Sequence, residues 1–175
     1  MTNGFNLINS YTNTQLYYWV FDDILLDSTC TDIQYSLTIL EDRNMALFGT
    51  RDSGGVNEDQ VSAIAAFYFY GSIRSMWGNA YIDEKHSIGK DLTTTLNINS
   101  GNTQGAFKCS NPFCLFTNWT DGVLDSRIAY VDFRYLKITD NTGKIRHYLR
   151  PCILEGGVPG IIDLVTKKKY KPYNL

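Results

Sequence analysis

The feature that most limits what this chain can fold into is an alternation of period two. Ile33, Tyr35, Leu37 and Ile39 are interleaved with Asp32, Gln34, Ser36 and Thr38. Successive side chains of an extended backbone point to opposite faces, so this stretch has one apolar side and one polar side. A helix would scatter the same residues around its surface, whereas a half-buried strand gathers them. The segment from Leu92 repeats the pattern, with Thr94, Leu96 and Ile98 on the same face. The run 127–139 sets Ile128, Tyr130, Asp132, Arg134, Leu136 and Ile138 on one side. Ala129, Val131, Phe133, Tyr135 and Lys137 fall on the other. Both sides are partly apolar, which predicts a central strand covered on both faces.

Turn signals separate these runs. A turn at 41–44 precedes the apolar run 45–48, and 52–60 is a polar, glycine-containing loop. The stretch 62–73 is rich in aromatic residues, and Tyr81 and Ile82 follow the turn Trp77-Gly78-Asn79. Short strands are expected at 105–108 and 113–117. The sequence Asp140-Asn-Thr-Gly143 reads as a hairpin loop into a strand at 144–149. Pro151 lacks an N–H and limits how far that strand can pair. No segment has a helical period, and 60–68 is the stretch open to either reading. Strands at this spacing predict two stacked antiparallel sheets, as a sandwich or a barrel.

At 175 residues, with neither a Pro/Ser linker nor a repeat, the chain is expected to be one domain spanning 1–175, with 1–14 as a candidate extended arm. The hydrophobic fraction of 43% against 19% charged residues places it among globular proteins. A net charge of -2 gives no general attraction to nucleic acid or to an acidic membrane. No apolar run reaches the length of about 18 residues that a spanning helix needs. The first residues lack the basic and apolar regions of a signal peptide. Cys30, Cys109, Cys114 and Cys152 form no CxxC, and neither His86 nor His147 is near a cysteine in sequence, so zinc is not indicated. Buried free thiols are the expectation, with a Cys109–Cys114 bridge as the pairing that sequence proximity would allow.

Five stretches carry a likeness. They are NTQLYY near the start, ALFGTR at 46–51, FYFYGS at 67–72, the long run 114–152, and GGVPGIIDLVTKKKY at 156–170. Their order resembles that of concanavalin A-like (laminin G-like) jelly-roll modules, which recur in phage tail, fibre and other virion proteins and in bacterial surface proteins. The motifs that match are the strand end Tyr135–Asp140, the segment from Arg146 to Cys152, and the closing segment from Gly157 to Tyr170. The likeness is strong over the last third and loose before it. It departs where LYYWVFDDI replaces the usual extended entry. The resemblance implies an all-β sandwich of two antiparallel sheets. In it Ile161, Ile162, Leu164 and Val165 would pack on the sandwich, Lys167, Lys168 and Lys169 would form an exposed turn, and Tyr170 would dock again. Lysines at a sheet margin also discourage edge-to-edge pairing.

The resemblance further implies a virion component (a decoration, fibre or tail-associated module) that binds other virion proteins or itself as a homo-oligomer, a trimer among the options. It would assemble in the host cytoplasm, and a bacterial cell surface is the alternative location. The alternative function is a lectin-like module for a host surface glycan. No cofactor is implied except calcium at a loop rim, for which loops 52–59 and 118–125 carry Asp, Asn and carbonyl groups.

Enzyme chemistry finds little support in the residues. A retaining glycosidase needs two carboxylates about 5–5.5 Å apart. A Glu-x-Asp-x-x-Glu strand would place them on one face, and none exists here. Asp22-Asp23 and Asp83-Glu84 are adjacent pairs and so point to opposite faces. Asp132 is best read as an ion-pair partner of Arg134. A catalytic triad needs a histidine held by a carboxylate. His86 follows a charged turn and His147 sits in a hairpin strand, so neither is given a role. Neither a G-x-S-x-G nor a phosphate-binding glycine loop is present. Asn118-Trp-Thr120 is a glycosylation sequon that matters only in a secretory setting.

Aromatic residues make up 14% of the chain, and they are the residue types best suited to interfaces and sugar stacking. Trp77 beside Gly78-Asn79 and Trp119 in the NWTDG turn read as loop tryptophans flanked by polar groups. The candidate ligand-binding residues are therefore Trp77, Asn79, Tyr81, Trp119 and Asp121. Tyr17, Tyr18 and Trp19 are consecutive, so they cannot all face one side of a strand.

Overall fold

The computed structural model describes residues 4–52, 62–77, 80–97, 108–120 and 122–175. These form sixteen strands in chain order. The first nine are β1 (Phe5–Leu7), β2 (Tyr11–Thr12), β3 (Trp19–Phe21), β4 (Cys30–Ile39), β5 (Met45–Asp52), β6 (Ser62–Phe69), β7 (Ser72–Trp77), β8 (Ala80–Lys85) and β9 (Asp91–Asn97). The remainder are β10 (Phe113–Leu115), β11 (Trp119–Thr120), β12 (Val123–Leu124), β13 (Val131–Asp140), β14 (Ile145–Leu154), β15 (Pro159–Asp163) and β16 (Lys169–Tyr170). The stretch 62–68, open to either reading in the sequence, is strand.

Two 8-stranded sheets result. The first runs β16-β15-β14-β13-β4-β9, with β1 on β14 and β2 on β13. The second runs β12-β11-β5-β6-β7-β8, with β10 joining β3 to β5. Pairing between these strands is antiparallel apart from the short contact of β11 with β5. The sheets stack as a sandwich over one apolar core. Tyr35 of the first sheet meets Phe48 of the second at 4.9 Å, and Phe116 meets both Phe133 (5.4 Å) and Trp19 (5.5 Å) edge-on. Such edge-to-face rings fill the space between sheets with favourable quadrupole contacts.

The alternation read in β4 holds, with Ile33, Tyr35, Leu37 and Ile39 all buried. The faces assigned to β13 need correction. A bulge lies between Phe133 and Tyr135, where Phe133 pairs with Leu37 and Tyr135 with the adjacent Ser36. The extra residue, Arg134, reverses the parity. Val131 and Phe133 face the core before it, and Leu136 and Ile138 after it. Arg134 lies over the other face, donating to Ser36 Oγ (2.8 Å) and Thr38 Oγ1 (3.0 Å). It pairs with Asp91 (3.3 Å) and, as expected, with Asp132 (3.7 Å).

Pro151 stops a pairing without ending its strand. The β13–β14 ladder ends at Leu136 and Leu149, yet β14 runs on to Leu154 along β15. Where β13 and β14 part, the N-terminal segment fills the gap: β2 pairs with β13 and β1 with β14. The segment read as an extended arm is thus extended and paired over Phe5–Leu7 and Tyr11–Thr12.

At the chain's end Ile161, Ile162 and Tyr170 are buried and Leu164 is half-buried. Val165, expected to pack, is 44% exposed because the chain turns there. The lysines are exposed on that turn and on the edge strand β16. All four cysteines are buried and none is in a disulfide, so the Cys109–Cys114 bridge is not formed. Burial pushes the Cys114 thiol up to about 12.

Candidate functional site

The outer face of the second sheet carries a second apolar cluster, separate from the main core. Register builds it. Ala46 pairs with Phe67, Ala65 with Met76, and Met76 with Tyr81, so alternate residues of β5, β6, β7 and β8 share the outward side. Ala46, Ala65 and Phe67 are buried in this cluster, with Phe69 and Met76 packed against it.

Two arginines lie across the aromatic rings. The Arg74 guanidinium sits 4.4 Å from the Tyr81 ring centre and 5.4 Å from that of Phe69. Arg127 sits 5.4 Å from Phe67 and 5.9 Å from Phe69. The result is a ladder of Tyr81, Arg74, Phe69, Arg127 and Phe67. Guanidinium planes suit this, because they stack on rings while keeping their edge donors for carboxylates.

Each arginine is held by an aspartate. Arg74 donates from Nε and Nη2 to the two oxygens of Asp83 at 2.7 and 2.8 Å, a bidentate pair across the β7–β8 ladder. The Arg74 bond holds the Asp83 carboxyl below the usual range. Arg127 donates from Nε to Asp125 Oδ1 (2.9 Å), and its own backbone N–H donates to the same oxygen (2.8 Å). Partial burial pushes the Asp125 carboxyl up, but the Arg127 bonds outweigh it and leave it lowered. The backbone of Arg127 is fixed in turn, since its carbonyl accepts from Ala46 N–H of β5 (2.8 Å). Asp125, in the loop read for calcium, therefore has its carboxylate committed to an arginine. Among the described residues no His/Cys/Asp/Glu cluster could hold a metal ion.

The three sequence candidates that are described, Trp77, Tyr81 and Trp119, do not come together. Tyr81 belongs to the ladder and is 57% exposed. Trp77 ends strand β7 rather than lying in a loop, and it is 2% exposed in the main core. Its pairing with Ala80 puts it on the opposite sheet face from Tyr81. Trp119 is a half-buried strand residue paired with Thr50 and Leu124, again not a loop residue. Asn79 and Asp121 lie outside the described residues, as do most of loop 52–59 and the expected strand 105–108 apart from Lys108. Asn118 of the sequon is buried, with its Nδ2 donating to Thr120 Oγ1 (3.1 Å), so that nitrogen is not presented for glycan attachment.

Sequence reasoning missed Phe67, Phe69, Arg74 and Arg127. The signal was present in AFYFYGSIRSMW: with Tyr70-Gly71 read as a tight turn, Phe67, Phe69, Arg74 and Met76 fall on one face. It also missed that His147 is held by a carboxylate, with Nδ1 2.8 Å from Asp163 Oδ2. That carboxylate further accepts from Tyr148 N–H, Val165 N–H and Thr166 Oγ1. Its acceptor sites are thus spent on holding the β15–β16 turn against β14, which is a structural task.

Comparison with known protein families, with curated proteins and with solved structures found no match to this chain.

Proposed function

We propose that this chain is a non-enzymatic binding module that works by protein–protein contact through the outer face of its second sheet, with a second copy of itself as the first partner. The observation that carries this reading is the aromatic–arginine ladder from Tyr81 to Phe67. Arginine and aromatic residues are the types enriched at interface centres, because they bring large rigid area and directed donors at small entropic cost. A small apolar cluster outside the core, on three strands, gives this ladder a rigid base, and the exposed Tyr81 ring at its end is the apolar area a partner would cover.

The charges favour a copy of the same chain. The face carries Arg74 with Asp83 and Arg127 with Asp125, so it presents both signs. A surface of mixed sign can exchange its ion pairs with an identical surface, as closed symmetric oligomers require. The setting proposed is a phage particle, and the sandwich is proposed to be of the concanavalin A-like jelly-roll type. Both rest on the sequence resemblance in the closing segment, Gly157 to Tyr170, and in the hairpin before it.

Sedimentation velocity tests the role of the face. Replacing Arg74→Glu together with Tyr81→Ala breaks the ladder at its exposed end without touching the main core. The double variant is expected to weaken self-association at least about tenfold, the loss of one or two interface hot spots. An unchanged association constant would remove this face from the interface.

A further inference from the structure

The edge strands of the two sheets, β8 and β9, flank a cleft of about 100 Å³ at one margin of the sandwich. Register decides which side chains line it. Ser75 and Trp77 lie on the core side of β7, and Glu84, paired with Ile73, lies on the core side of β8. Thr94 is on the same side of β9 as the buried Leu96. Trp77 is buried, and its indole N–H has no hydrogen-bond partner among the described residues. Tyr35, opposite Thr94 in the β4–β9 ladder, is buried behind the cleft, with Ser75 as the neighbour of its phenolic oxygen. Burial pushes its hydroxyl up to about 12, Ser75 pulls it back, and the Glu84 charge raises it further.

A buried donor left without an acceptor is costly, so the Trp77 indole N–H, which lines the cleft, calls for an occupant that accepts on its inner side. An inward donor disfavours a cation there, and the carboxylate of Glu84 disfavours an anion. A hydroxyl group satisfies both, since it accepts from the indole and donates to Glu84. The volume matches about three waters, which is room for an end group and far below a drug-sized pocket. We infer that this cleft binds the hydroxyl-bearing end of a neutral polyol or sugar, a vicinal diol or hydroxymethyl group, with Trp77 donating from the floor and Glu84 accepting at the rim. This site lies on the opposite face of the β7–β8 hairpin from the ladder, so it stands or falls independently of the protein-contact reading.

The test is a titration of the ¹⁵N-labelled full chain followed at the indole N–H resonances. Trp77→Phe identifies the Trp77 signal. Glycerol and glucose are added, each to about 100 mM, which reaches weak millimolar binding. The expected result is a saturable shift of the Trp77 indole signal with at least one probe. Glu84→Gln should weaken it about tenfold, the loss of a charge-assisted bond, and the exposed position of that residue spares the fold. No saturable shift with either probe would overturn the proposal. Water would then occupy the cleft, and Glu84 would serve only as an inward charge that guards the sheet edge. A shift unaffected by Glu84→Gln would overturn it equally.

Discussion

Asp163 shows how much one carboxylate can organise. It is fully buried and accepts from the His147 ring, two backbone N–H groups and Thr166. Burial alone would raise its pKa. The donors outweigh burial, His147 first, and hold the carboxyl down at about 2. The unfolded value is about 3.9. The folded state therefore binds the proton more weakly than the unfolded state between those values. The stabilisation, about 2–3 kcal/mol, is fully present above pH ~4 and is lost as pH falls toward 2. Urea titrations across that range should show the loss, and Asp163→Asn should lower stability by a similar amount at neutral pH and flatten the acid limb. An unchanged acid limb in the variant would show that other carboxylates carry it. The sequence marked this segment as an apolar strand entering a lysine turn, which is correct. It could not mark Asp163 as the anchor, because His147 is 16 residues away and meets it only through the β14–β15 pairing. The buried thiols were legible, since their burial follows from residue type alone.

At the scale of elements, alternation was legible wherever a strand is regular and misleading where it is not. From Ile33 to Ile39 β4 kept one parity at its apolar positions, and its core face there was read correctly. In β13 the inserted Arg134 flips the parity midway, and a period-two pattern has no symbol for an extra residue. The Arg134 side chain then finds Ser36, Thr38, Asp91 and Asp132, so the residue that interrupts the ladder is held by four partners. Gly49 is a second place where local geometry overrides pattern. It pairs with Ala65 in the β5–β6 ladder at φ +149, and a Cβ there would lie 2.5 Å from the Ala65 Cβ and 2.8 Å from the Ile64 carbonyl oxygen. Neither neighbour is a flexible side-chain end. Gly49→Ala is expected to cost about 2–4 kcal/mol through strain and overpacking, read as a lower urea midpoint at unchanged slope. A change below about 0.5 kcal/mol would mean that the two strands can separate there freely.

For the whole molecule, the sandwich of two sheets was legible and the surface it displays was not. Strand count and turn spacing announce stacked sheets, but which outward residues become neighbours depends on strand order. Phe67 and Arg74 are joined by a hairpin, while Arg127 reaches the same face only because its carbonyl is bound by Ala46 of β5. Trp77 stood out in the sequence as a loop aromatic and proved to be a core residue, and Tyr81 beside it in the chain faces the other way. The proposed division of labour follows from that opposition. The outward side of the β7–β8 hairpin offers the ladder to a protein, and the inward side lines the polar cleft.

Size-exclusion chromatography with light scattering on the purified full chain, with and without calcium, tests the protein-contact reading most directly. A defined oligomer whose mass is the same in both conditions is the result the account predicts, since its contacts are rings and arginines already paired with Asp83 and Asp125. A monomer at every concentration would contradict it, as would an oligomer that forms only when calcium is added.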